Sequence, residues 1–109
     1  MPETNDRWLY RTVGARIRKT RTDTGLTQQR LAELIGSTRT AITMLENGER
    51  AITIRHLYDI GTAIQMEPRE FIPSMDELRQ AQAVLGPTTD APKASQAMAE
   101  WSARLLRRG

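Results

Sequence analysis

Residues 25–48 read Gly25-Leu26-Thr27-Gln28-Gln29-Arg30-Leu31-Ala32-Glu33-Leu34-Ile35-Gly36-Ser37-Thr38-Arg39-Thr40-Ala41-Ile42-Thr43-Met44-Leu45-Glu46-Asn47-Gly48, and the order of caps, apolar positions and glycines within them decides the fold. Thr27 stands where a helix N-cap is wanted, its hydroxyl able to accept from a backbone N–H of the first turn. Leu31, Leu34 and Ile35 follow at helical spacing and predict an inward stripe. Gly36 ends that helix by supplying the left-handed conformation cheaply. Thr38 caps a second short helix with Ala41, Ile42 and Leu45 inward, closed by Asn47-Gly48. Two short helices that cross steeply need a small residue where they touch. Ala32 supplies it, and Gly36 supplies the turn four positions later.

Working outward, Asn5 or Asp6 can cap a first helix that runs through Trp8, Val13 and Ile17 to about Asp23, with Gly25 as its stop. Thr53 caps a fourth helix in which Ile54, Leu57, Ile60 and Ile64 recur at helical spacing. Pro68 opens a short fifth helix containing Phe71 and Ile72. No stretch shows the alternation of a half-buried strand, so the fold class expected is all-α. Beyond Pro73, Ser74 caps a helix over 75–85 that places Met75, Leu78, Gln82 and Leu85 on one face. Gly86-Pro87-Thr88-Thr89-Asp90-Ala91-Pro92 has a linker composition. A last helix over 93–108 carries Ala94, Met98, Trp101 and Leu105 on one stripe. Arg104, Arg107 and Arg108 stand in its final turn, where they complement the macrodipole. The chain divides into a domain over 7–73 and a helical tail over 74–109. Two amphipathic tail helices need a surface to bury against: this domain, a second copy or another protein. Leu78, Leu85, Met98, Trp101 and Leu105 are the candidate interface.

Composition bounds the function. The 109 residues are 39% hydrophobic and 27% charged, enough for one modest core. The five aromatic residues are Trp8, Tyr10, Tyr58, Phe71 and Trp101, so Leu, Ile, Val, Met and Ala must build most of that core. There is no cysteine, which excludes disulfides, thiolate zinc sites and a Cys nucleophile. His56 is the single histidine, so neither a His-based metal cluster nor a Ser-His-Asp triad with a second histidine is supported. No catalytic spacing and no phosphate-cradling glycine loop is present, so a non-enzymatic chain without metal or cofactor is expected. No apolar run reaches the roughly 18 residues of a membrane span, and Met1-Pro2-Glu3 opens no signal peptide, which predicts a soluble, cytoplasmic protein. The formal charge of +3 is unevenly spread: residues 7–55 carry ten Arg and Lys against four acidic residues, and the remainder is net negative. Such polarity suits a polyanion, nucleic acid being the commonest, and suits a solvated basic surface equally.

The fixed offsets within 25–48 describe a helix-turn-helix. With Ile17-Arg18, Arg21, Gly25-Leu26-Thr27-Gln28 and the trailing Leu45-Glu46-Asn47-Gly48, the chain closely resembles the phage lambda repressor and Cro (XRE) family over about residues 13–72. The resemblance implies a five-helix lambda-repressor-like DNA-binding domain, here with a C-terminal two-helix extension. Such a domain docks as a dimer on a two-fold site with its third helix in the major groove. Carried over position by position, it points to Arg39, Thr40, Thr43 and Met44 as base-contacting residues. Gln28, Thr38, Asn47, Arg50 and, more loosely, Arg16 become phosphate contacts, while Arg21 and Glu46 form a structural ion pair. The chemistry agrees. Arg39 can hold a guanine O6/N7 edge or a phosphate, Thr40 and Thr43 offer a hydroxyl or a methyl, and Met44 suits a thymine methyl. Gln28 opens a helix whose free N–H groups welcome a phosphate. The chain departs from the family pattern at Thr20 and Ser37, where apolar residues are usual, at Ile52 in place of a proline, and at Gln65 where glycine often ends the fourth helix. His56 reads as a surface or satisfied histidine, and Trp8 and Tyr10 as packing of an extended first helix.

The function this implies is a homodimeric repressor that covers a promoter by binding an inverted-repeat operator. It would be bacterial or phage-encoded, and on the nucleoid when bound. The alternative is an antitoxin that binds a partner protein through its tail and represses its own promoter.

Overall fold

Among the described residues the longest helix is α1 (Asn5–Asp23), which runs until Thr24-Gly25 ends its pattern. The computed structural model describes residues 5–85. After α1 come α2 (Gln28–Ile35), α3 (Arg39–Glu46), α4 (Ile54–Ile64), a 3-10 turn (Pro68–Phe71) and α5 (Met75–Leu85), with no strand among the described residues. The second tail helix expected over 93–108, with Met98, Trp101 and Leu105, lies outside the described residues.

Threonine caps open α2, α3 and α4. Thr27 Oγ1 accepts from Arg30 N–H at 3.0 Å, and Thr38 Oγ1 from Ala41 N–H at 3.1 Å. At α4 the cap is reciprocal: Thr53 Oγ1 accepts from His56 N–H and His56 Nδ1 accepts from Thr53 N–H, both at 3.1 Å. His56 thus does what a Glu or Gln does in the usual capping box. The two helices of the central pair end alike, with Gly36 at φ 69° and Gly48 at φ 73°. In each case the next residue's N–H reaches back to close the turn, Ser37 to the Ala32 carbonyl at 2.8 Å and Glu49 to the Met44 carbonyl at 2.9 Å.

Every element up to the 3-10 turn contributes to one core: Val13 and Ile17, Leu31 and Ala32, Ile42 and Leu45, Ile60 and Ile64, and Phe71. Gly14 lets α1 lie directly on the end of α3, where a Cβ would come within 2.7 Å of the Glu46 carbonyl oxygen. The structure departs from the sequence expectations at three places. Leu34 is 47% exposed and Ile54 73% exposed, because each lies about a quarter-turn or more from the middle of the buried stripe of its helix. The fifth helix of the domain is a 3-10 turn that excludes Ile72: that residue is extended, with φ −96° and ψ 126°, as the residue before Pro73 must be. The face of α5 that packs runs through buried Ala81, not along Met75 and Gln82, which are exposed.

What turns α5 that way is a contact invisible in sequence. Ser74 and Glu77 form a reciprocal cap, and the other Glu77 oxygen takes a hydrogen bond from the Arg16 guanidinium on α1. Arg16 beside it holds the Glu77 carboxyl below its usual range, helped by the Ser74 N–H. Leu78 is half-buried on this helix, while Val84 and Leu85 are exposed at its end.

Gln65 is the one non-glycine residue at positive φ among the described residues, at 63°, ending α4. A side chain there costs about 1–2 kcal/mol, of which the greater unfolded-state freedom of glycine takes back about 0.5–1 kcal/mol. Gln65→Gly should therefore stabilise the chain by about 0.5–1 kcal/mol, read as a higher urea midpoint at unchanged m-value. A lower midpoint would show that the Gln65 side chain contributes more than its backbone strain removes.

Candidate nucleic-acid interface

The outer face of α3 is held rigid from behind. Ile42 and Leu45 are buried, and Glu46, at the last turn, is buried with them. Its carboxylate receives Arg21 Nε at 2.6 Å and Arg21 Nη2 at 3.0 Å, a two-point grip that ties α1 to α3. Arg21 Nη1 also donates to the Leu26 carbonyl at 2.7 Å, which fixes the entry into α2. Gln28 joins from α2 by donating Nε2 to Glu46 Oε1 at 3.0 Å. Three helices are thus pinned to one buried charge.

Outward from that anchor, Arg39 and Thr40 are exposed on the first turn of α3, and the Arg39 guanidinium makes no hydrogen bond or ion pair among the described residues. A free guanidinium at the positive end of a helix repels its surroundings unless an anion or an acceptor edge approaches. Thr43 is half-buried, its hydroxyl 3.1 Å from Gln28 Oε1 and 3.0 Å from the Arg39 carbonyl oxygen. Met44 is half-buried beside it, less outward than helical spacing predicts. Thr38 is exposed with its oxygen engaged as the cap, which leaves its O–H as the donor it can offer. Asn47 and Arg50 are exposed just past α3.

Arg39, Thr40, Thr43, Met44, Thr38, Gln28 and Asn47 therefore share one region built from α2, α3 and the turn after it. Arg16 does not join it as a free cation, because Glu77 takes up its charge across 61 residues of sequence. Sequence reasoning passed over Arg11. It is exposed and borders the same groove as Asn47 and Gly48, its backbone seated on Gly48. The only sequence signal for it was its charge on α1, shared with five other basic residues of that helix. Among the described residues no cluster of three His, Asp or Glu could hold a metal ion, and no helix is long and apolar enough to cross a membrane.

A capped helix, a glycine turn and a second helix whose outer face is polar and whose inner face is locked into a small all-helical core define a helix-turn-helix protein of the DNA-binding, transcription-regulating class. The helix-turn-helix family model HTH_3 matches residues 17–71, half of the chain, and the chain belongs to that family. Among solved structures it is similar to the restriction-modification controller protein C.AhdI from Aeromonas hydrophila, with 35% identity over 58% of this chain and 96% of that one and a TM-score of 0.56. It is also similar to the clp gene regulator ClgR from Corynebacterium glutamicum, with 25% identity, coverage of 96% and 94%, and a TM-score of 0.58. The DNA-binding domain of BldD shares the fold at 24% identity over 61% of this chain and 96% of that one, with a TM-score of 0.55. Comparison with curated proteins finds no match.

Proposed function

We propose that this chain is a sequence-specific double-stranded DNA-binding protein of the cytoplasm that acts as a homodimeric repressor, covering a promoter when two α3 helices engage an inverted repeat. It binds and does not catalyse. The observation that carries this reading is the pairing of Arg39, whose guanidinium has no partner among the described residues, and an exposed Thr40 on a helix braced from behind by the Arg21–Glu46–Gln28 cluster. In this reading Arg39, Thr40, Thr43 and Met44 face base edges. Gln28, Thr38, Asn47 and Arg50 hold the phosphates on either side, fixing register without carrying sequence. Residues 7–73 form the DNA-binding unit and 74–109 the element that joins two copies, with Leu85 and Val84, exposed at the end of α5, at its start.

Selection of duplexes from a random pool at about physiological salt tests it. We expect enrichment of an inverted repeat with half-sites about one helical turn apart. Arg39→Ala should reduce affinity for the selected site by about ten- to a hundredfold and relax preference at one symmetric pair of positions. Thr40→Ala should do so at a neighbouring pair. Bulk binding that is sensitive to salt but enriches no sequence would defeat this reading. It would favour the second one, an antitoxin-like chain whose exposed apolar tail residues engage a partner protein.

A further inference from the structure

We propose that Thr43 reads an exocyclic amino group, adenine N6 or cytosine N4, through a lone pair of its hydroxyl, and that buried Glu46 sets this polarity through Gln28. The inference rests on the base-reading role of α3 proposed above and deepens it. Glu46, ion-paired with Arg21, accepts hydrogen bonds and donates none, so the Gln28 atom 3.0 Å from it is the amide NH2. That orientation turns Gln28 Oε1 toward Thr43, 3.1 Å from its Oγ1. The other neighbour of the hydroxyl is the Arg39 carbonyl oxygen at 3.0 Å. Both are acceptors. A hydroxyl carries one proton and two lone pairs, so the proton stays on the protein side and acceptor capacity faces outward.

An outward acceptor discriminates among bases. In the major groove adenine N6 and cytosine N4 present N–H donors, whereas guanine O6 and N7 and thymine O4 are acceptors. A threonine hydroxyl free to rotate serves either kind and selects poorly. Thr40, exposed and without a side-chain hydrogen bond among the described residues, is free in that sense. Thr43 is not, because the Arg39 carbonyl of its own helix and the α2 amide oriented by the ion pair between α1 and α3 both face its hydroxyl as acceptors. The polarity of this contact is set by α3 and the packed domain together.

The test uses the full chain and the duplex enriched from the random pool. At each adenine or cytosine of the site, the nucleotide is exchanged for one lacking the exocyclic amino group, and binding is measured for the unsubstituted protein, Thr43→Val and Thr43→Ser. One symmetric pair of positions should weaken binding of the unsubstituted protein by about five- to tenfold. Thr43→Val should lose the same factor on the natural site and be indifferent to the missing amino group, while Thr43→Ser retains the preference. Gln28→Met should lower the preference at that pair and leave preferences at the Arg39 positions unchanged, a readout that loss of a phosphate contact alone would not move. A Thr43→Val protein that keeps every preference, or that loses one at a guanine or thymine, overturns the polarity and leaves DNA reading intact. A pool with no enriched sequence overturns both.

Discussion

Replacing Arg21 by methionine should remove about 3–5 kcal/mol of folding stability, because it strands a buried carboxylate without its cation. The side chains of Arg21 and Glu46 are 8% and 1% exposed, so water cannot take the place of the guanidinium without opening the α1–α3 contact. Gln28 still donates one neutral hydrogen bond to Glu46, which satisfies a lone pair and leaves the charge uncompensated. For a domain of this size the loss lowers Tm by about 15–30 °C, measurable by far-ultraviolet circular dichroism. The double variant Arg21→Met with Glu46→Leu should recover most of the loss, since a buried ion pair exchanged for apolar groups of similar volume is close to neutral. A single variant within about 1 kcal/mol of the parent would mean that Glu46 reaches solvent and that the pair is no anchor. The double variant also has a functional signature. With no carboxylate to orient Gln28, preference at the Thr43 position should weaken even though the fold is restored.

Gly48→Ala is expected to destabilise by about 1.5–4 kcal/mol, combining the net cost of left-handed backbone with a clash. At φ 73° a Cβ is already disfavoured, and here it would also stand 2.6 Å from Arg11 Cα and 2.8 Å from Arg11 N. Those are backbone atoms in the middle of a helix and cannot swing aside as the tip of a side chain would. Gly36 provides the control. Its φ is 69° and nothing lies within 4 Å of the place a Cβ would take, so Gly36→Ala should lose only the conformational part, about 0.5–1 kcal/mol once glycine's greater unfolded-state freedom is set against the strain. Urea denaturation of both variants separates the terms, with unchanged m-values showing that the difference is one of stability and not of the surface exposed on unfolding. Equal losses at the two glycines would show that the start of α1 moves off the α3–α4 turn at little cost. In that case Arg11 would no longer be held beside Asn47.

The helices were legible because their signals are local. A threonine that caps, a glycine that stops and a spacing of three and four residues each act within a turn or two of chain, so Thr27, Gly36, Thr38 and Thr53 could be read without neighbours. Family resemblance then pointed to Arg21 and Glu46, and the structure places them in contact 25 residues apart. Reading failed where direction or distance mattered. Leu34 and Ile54 fit the helical period yet lie at the margin of the buried stripe, because spacing gives a face and not its centre. Arg16 looked like one more cation for the phosphate rim until α5 brought Glu77 to it. His56, read as a surface or satisfied histidine, is satisfied by a cap with Thr53 whose partner periodicity does not reveal.

An all-helical chain, the two short helices and turn of the helix-turn-helix, and the polar outer face of the second helix are written in the sequence. Each follows from propensity, capping and periodicity, which operate over a few residues. Which way α5 turns, what becomes of the Arg16 charge, how closely α1 rides on Gly14 and Gly48, and which acceptors surround the Thr43 hydroxyl appear only once the chain is packed. Those outcomes depend on atoms far apart in the chain meeting at hydrogen-bonding distance. A buried charge such as Glu46 orients its neighbours only once packing has excluded water from around it.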